Sequence, residues 1–272
     1  FSGLSGVSVG KMFAVGLSTG AVMVFFLVAY IVVRCWLDKN LCPAADDSMM
    51  GHIEPKERVR IYLRTAPSVL VVFAVLGSLF AGIATPTEAA AMGAAASLII
   101  ALILGTIDLK RIFEAAVEAA KQTTMVLWIA LNSLLLVSVY SGIGGDEVVR
   151  ALIDSLGVSP GVVIGVMLAT IFVLGFFVDP IGILFLVMPV FLPVLTALDV
   201  NLVWIGALVI LVLETAYLTP PFGYNIFFLK SVAPPSISLR TIYAAAPAFV
   251  LIQLVTVAAC FTMPGIVLWI IY

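Results

Sequence analysis

The sequence predicts an all-α, polytopic membrane protein, and three observations carry that prediction. Hydrophobic residues make up 63% of the 272 positions and charged residues only 10%, whereas a soluble domain runs at roughly half apolar and a quarter charged. Mean hydropathy is +1.26. Apolar runs of about 18 residues or more, enough to cross a bilayer, recur along the chain. This composition excludes a soluble enzyme. A net charge of −2 provides no basic field for nucleic acid.

The first span is expected at about Met12 to Val33 and the second at about Ala66 to Ala84. The third, Pro86 to Ile107, opens with Gly82-Ile-Ala-Thr-Pro-Thr-Glu-Ala-Ala. There Thr85 suits the N-cap, Pro86 the first helical position, and Glu88 the third, which closes a capping box. That structural reading accounts for every residue of the motif. Asp108 to Lys121 is charged yet apolar at three-to-four spacing, so it reads as a connecting helix on the membrane surface. A fourth span follows at Thr123 to Tyr140, and Asp146 to Leu156 reads as a second surface helix.

Lysine and arginine orient these spans. The loop 34–64 holds Arg34, Lys39, Lys56, Arg58, Arg60 and Arg64, and the segment 108–122 holds Lys110, Arg111 and Lys121. The segment 142–157 holds only Arg150. Alternating crossings put the first two segments in the cytoplasm and the third outside. Lys230 and Arg240 then fall inside, and the C-terminus outside.

The stretch 158–198 is two full spans or a re-entrant hairpin, and charge does not choose between them. Local chemistry favours the hairpin. Asp179-Pro180 lies at its centre between Gly175 and Gly182, and Pro189 and Pro193 shorten the return. Irregular backbone inside a membrane survives only in protein or beside a wet cavity, and a carboxylate there suggests function.

The next span, Leu202 to Leu229, contains Thr219-Pro-Pro-Phe-Gly223. Two prolines remove two donors and clash with preceding carbonyls, so no continuous helix passes. The first half is expected to end near Leu218, with Thr219 as N-cap and Pro220 as first residue of the second. Carbonyl ends of such broken helices coordinate cations and amide ends attract anions. Glu214, one turn earlier, belongs either to an ion site or to a structural pair. Asn225 follows the break. A last span covers Ala246 to Ile271.

Cys35, Cys42 and Cys260 form no CxxC pair, and His52 is the single histidine. No zinc site and no cofactor is expected. Ser8-Val-Gly-Lys-Met-Phe-Ala-Val-Gly resembles Ser238-Leu-Arg-Thr-Ile-Tyr-Ala-Ala-Ala, and the two copies enter the membrane from opposite sides. An inverted-topology repeat predicts that arrangement. It leads to the expectation that an upstream hairpin and broken helix precede Phe1.

Taken in order, the motif at 82–89, the Asp179 hairpin and Leu218-Thr-Pro-Pro-Phe-Gly223 resemble the large, DctM-like membrane subunit of TRAP transporters, the tripartite ATP-independent periplasmic systems. The resemblance covers essentially the whole chain. It implies an elevator-type transporter with inverted repeats, and sodium as the coupling ion. It also implies a small membrane subunit, a periplasmic binding protein, and a small carboxylate as solute, in the bacterial inner membrane. Residues 1–157 would be mainly scaffold and arm helices with the cytoplasmic loop 34–64. Residues 158–235 would be the transport-domain hairpin and broken helix, and 236–272 a C-terminal arm and span. The implied sodium site involves Gly175, Asp179, Ala216, Thr219 and Phe222. Gly182, Pro220, Pro221, Gly223 and Asn225 would lie near the solute. The family often has glycine where Ala216 stands, and alanine serves there if only its carbonyl is used.

The nearest alternative is another elevator-type sodium/dicarboxylate symporter working without a binding protein. A membrane-embedded enzyme would need a catalytic cluster, and neither HExxH nor a nucleophile–base pair is visible. A passive channel would show repeated polar rings.

Overall fold

A computed structural model describes residues 1–38, 55–145, 147–148, 151, 157, 159–219, 223–234 and 236–271. Loop residues Cys42 and His52, most of 146–156, and Pro220, Pro221 and Phe222 lie outside the described residues. The chain divides into two compact units, Tyr30–Gln122 and Phe1–Ala29 with Thr123–Tyr272. Among the described residues the regular structure is helical: α1 (Ser2–Ser5), α2 (Val9–Leu37), α3 (Pro55–Phe80), α4 (Pro86–Ile103), α5 (Leu109–Gly142), α6 (Pro160–Leu174), α7 (Pro180–Ala197), α8 (Leu202–Ala216), α9 (Tyr224–Val232), α10 (Leu239–Thr262) and α11 (Pro264–Leu268). Six of these, namely α2, the Ile61–Phe80 part of α3, α4, α5, α7 and α10, are long and apolar enough to cross a membrane. The chain is a multi-pass membrane protein.

In the unit Tyr30–Gln122, α3 packs against α4. The start of α4 is fixed by its own sequence. Glu88 N donates to Thr85 Oγ1 at 3.4 Å, and Thr85 N donates back to Glu88 Oε2 at 2.8 Å. Each removes an orphan donor from the helix end.

One expectation is corrected in α5. Asp108 to Lys121 does not form a separate surface helix but is the first part of a 34-residue helix, about 51 Å long. Charge separates the two halves in sequence, yet no proline or internal glycine interrupts Leu109–Ser141, so the backbone has no reason to break. Asp108 Oδ1 accepts from Arg111 N at 2.8 Å and starts the helix.

The larger unit is built around α8. Ten of its 15 residues are buried, as expected of a helix apolar on every side. It contacts α6, α7, α10 and α11. Asn201 caps it, its Oδ1 accepting from Val203 N at 3.0 Å and Trp204 N at 3.3 Å. α6 and α7 form an antiparallel pair beside it. α10 begins at Ser238, whose Oγ accepts from Thr241 N at 3.2 Å. The lower part of α10 packs on α9 through Ile226, Ile242 and Ala246, in a small core of their own. Its upper part joins the main core through Val257 and Cys260. α10 thus braces both α8 and α9.

The last span is also corrected. It starts at Leu239 rather than Ala246 and ends at Thr262, with the short α11 beyond Met263. Pro264 has no N–H to continue the ladder. α11 is tied back to α2 where Ser18 Oγ donates to the Val267 carbonyl at 2.7 Å.

Candidate functional site

The turn between α6 and α7 reaches the end of α8. Gly175 ends α6 with its N–H on the Ile171 carbonyl at 3.0 Å, and the next N–H groups fold back on Val173 and Leu174. A Cβ placed on Gly175 would sit 3.1 Å from the Ala216 Cβ and 3.1 Å from the Phe172 carbonyl oxygen. Contact between carbon atoms is optimal at about 3.5–4.0 Å, so only glycine lets the turn come this close. Both residues are buried.

Asp179 serves the backbone. Its Oδ2 accepts from Ile181 N at 3.0 Å and its carbonyl accepts from Ile183 N at 2.9 Å. It is the N-cap of α7, with Pro180 at the first helical position. The side chain is half-buried, as is that of Glu214 on the last turn of α8. Tyr217 lies within electrostatic reach of both carboxylates. Gly182 packs on the turn from the α7 side, where an added Cβ would be 3.1 Å from Val178 Cγ1.

α8 stops at Ala216 and α9 begins at Tyr224, so the helix is interrupted as the prolines require. The details differ from expectation. Thr219 is not the N-cap of the second half, because its Oγ1 points back toward the Ala216 carbonyl at 3.5 Å. Gly223 takes the N-cap position, at φ 40° and ψ 39°. A left-handed residue is needed to turn the chain into α9, and glycine adopts that conformation without a Cβ penalty.

The two half-helices are stitched across the interruption. Asn225 N donates to the Tyr217 carbonyl at 3.1 Å, and Gly223 N donates to the Thr219 carbonyl at 2.9 Å. The Tyr217 and Tyr224 rings stand 5.9 Å apart. Thr219 and Gly223 are buried, whereas Asn225 is exposed. Sequence reasoning overlooked Tyr217, although tyrosines at 217 and 224 flank the Thr-Pro-Pro-Phe-Gly run. It also overlooked Gln253 on α10, which is 3% exposed with Oε1 lacking any hydrogen-bond partner among the described residues.

The arrangement places two helix C-termini, those of α6 and α8, against each other. Each end carries about half a negative charge, although the carbonyls of Ile171, Val173, Leu174, Glu214, Thr215, Tyr217 and Thr219 already accept backbone N–H groups. The amide ends of α7 and α9 point into the same region from the other side of their turns. The α7 end is already capped by a carboxylate, while α9 has no side-chain cap. Among the described residues no cluster of histidine, cysteine, aspartate and glutamate could hold a transition metal. Two such ends together favour a positive charge over a negative one.

A helical membrane protein with a paired-helix turn docked on an interrupted helix has the build of a membrane transporter. The family comparison is specific. Residues 1–266 match the tripartite ATP-independent periplasmic transporter DctM component, and the chain belongs to that family. A C4-dicarboxylate TRAP transporter large permease protein of Pseudomonas aeruginosa is 28% identical over 243 residues, covering 88% of this chain and 55% of that protein. A sialic acid TRAP transporter permease of Haemophilus influenzae is 28% identical, over 70% of this chain and 32% of its own length. An ectoine TRAP transporter large permease protein of Halomonas elongata is 24% identical, over 98% of this chain and 60% of its own length. The chain spans about half the length of the curated dicarboxylate relatives it matches. These relatives are permeases and not enzymes.

Proposed function

We propose that this chain forms the ion-coupling part of a sodium-driven, binding-protein-dependent uptake system for a small organic acid. The observation that carries this reading is the contact of the Gly175 turn with the end of α8 at Ala216. α6 and α8, of 15 residues each, span about 22 Å, short of a hydrocarbon core of about 30 Å. α7, with 18 residues, is long enough to cross, but it begins at the tip where the shorter α6 ends. α6 and α8 also start at one level. Gly161 lies against Phe261, and Trp204 Nε1 donates to the Cys260 carbonyl at 2.9 Å. Lysine and arginine placement makes that level the outside and puts Lys230 and Arg240 inside. The pair α6–α7 is then a re-entrant hairpin whose tip meets the helix interruption at mid-depth.

Sodium would be held there by the carbonyl ends around Gly175, Ala216 and Thr219, with Asp179 acting chiefly to fix the turn. Phe222 lies outside the described residues and keeps its family role as an expectation, as do Pro220 and Pro221 beside the solute. Gly223 and Asn225 stand at the start of α9, where the positive end of the helix dipole suits the carboxylate of the solute. Their own N–H groups serve the Thr219 and Tyr217 carbonyls, so the exposed Asn225 side-chain amide would meet it. Relatives are named for C4-dicarboxylates, sialic acid and ectoine, so the solute is a small compound bearing at least one carboxylate. The elements 158–235 would travel as an elevator together with α10, which braces α8 and α9, in the inner membrane, beside a small subunit and a periplasmic binding protein.

The full-length protein, reconstituted with its small subunit and binding protein, should accumulate the organic acid only under an inward sodium gradient. Equal accumulation without sodium would overturn the coupling. Uptake that ignores the binding protein would favour the stand-alone symporter instead.

A further inference from the structure

Beside the helix interruption lies a groove of about 650 Å³, bounded by Phe176 of the hairpin turn, by Leu218 and Thr219, and by Tyr243, Val250 and Leu254 on α10. Its walls carry no charge. An organic anion would gain nothing from such a lining, whereas a hydrocarbon chain would. On α10 the lining positions fall on one face. From Tyr243 to Leu254 that face runs about 16 Å, close to the thickness of one leaflet's hydrocarbon. One turn before Tyr243, on the same face, stands Arg240. It is exposed and has no ion pair among the described residues. Lys230 reaches the same end of α10, its Nζ on the Ile237 carbonyl at 2.7 Å. An apolar trough one leaflet deep, with a tyrosine at its mouth and two cations above it, matches the plan of an anionic phospholipid.

We infer that this groove holds one acyl chain of an anionic glycerophospholipid of the cytoplasmic leaflet, with its phosphate at Arg240 and Lys230 and its tail against Phe176, Leu218 and Thr219. The lipid thereby touches both the hairpin turn and the interruption. This goes beyond the transport reading and does not depend on which ion or solute is carried.

The test is a titration of the delipidated, full-length protein with dioleoylphosphatidylglycerol and, separately, dioleoylphosphatidylcholine, followed by native mass spectrometry. Wild-type protein should retain phosphatidylglycerol in preference to phosphatidylcholine. Arg240→Gln should weaken phosphatidylglycerol about fivefold and leave phosphatidylcholine unchanged. Val250→Trp, which fills the trough, should weaken both lipids, by roughly fourfold for each methylene displaced. Arg240 is exposed, so its variant keeps the test decisive should Val250→Trp fail to fold. Equal affinity for the two lipids, or phosphatidylglycerol retention indifferent to Arg240→Gln, would overturn the inference. So would a trough already covered by protein, seen as no lipid adduct on the wild type.

Discussion

The closest approach at the proposed ion site is between Gly175 and Ala216, and it supports a quantitative test. Gly175→Ala puts a methyl group 3.1 Å from the Ala216 Cβ and 3.1 Å from the Phe172 carbonyl oxygen. Ordinary carbon contact lies at about 3.5–4.0 Å, so the turn must retreat by roughly half an ångström. Neither opponent is the far end of a flexible side chain. One is a methyl on a buried helix and the other is backbone. Overpacking of this kind costs about 1–3 kcal/mol. If that strain is relieved by moving the turn away from α8, it falls on any state that needs both carbonyl ends together. The half-saturating sodium concentration for uptake should then rise between about fivefold and a hundredfold. Ala216→Gly removes the opposing methyl while keeping its carbonyl. The double variant should therefore recover the share of the loss that the two methyls cause, the contact with the Phe172 carbonyl remaining, whereas independent sites would simply add. Sodium-dependent uptake in proteoliposomes supplies the four corners of the cycle. Unchanged sodium dependence in Gly175→Ala, or strict additivity in the double variant, would refute the placement of the site.

Three further outcomes follow from neighbouring positions. Gly223→Ala imposes a side chain at φ 40° and should cost about 1–2 kcal/mol, seen as a lower midpoint of thermal unfolding together with slowed uptake. Gln253→Met replaces an amide whose Oε1 has no partner among the described residues with an apolar chain of similar length. It should leave stability unchanged or raise it by about 1 kcal/mol, and a clear fall in the unfolding midpoint would mean that the amide is satisfied after all. Trp204→Phe removes the 2.9 Å bond to the Cys260 carbonyl and disturbs stacking on Phe261, 5.9 Å away. It should lower stability by about 1–2 kcal/mol while leaving the sodium requirement intact.

Much of this architecture was legible because membrane helices advertise themselves by length and composition, and their interruptions by proline. Pro220 and Pro221 announced that α8 could not continue, and Asp179-Pro180 marked the start of α7. What proline does not specify is where the helix resumes. That depended on Gly223, whose left-handed backbone is invisible until the turn is built. The boundary between Lys121 and Thr123 was misread for a different reason. Charge reports solvent exposure, whereas helix continuity depends on the absence of a breaker, and α5 has none. The proximity of Gly175 to Ala216 was not readable from local pattern at all. It is a tertiary contact between residues forty-one positions apart (216 minus 175), and the family resemblance rather than spacing pointed to it. The cost of a carboxylate at Asp179 suggested function and the family resemblance an ion site, yet its bond to Ile181 N gives it a sufficient structural reason to be there.

The brace made by α10 has a mechanical consequence. Because it grips α8 at Trp204 and Cys260 and α9 at Ile226 and Ile242, it works as a splint laid across a fracture. The angle between the broken pieces is then set by a continuous rod alongside them and not by the few peptides that join them. Amide exchange should accordingly be slowest along the splinted shafts of α8 and α9, where the rod lies against them.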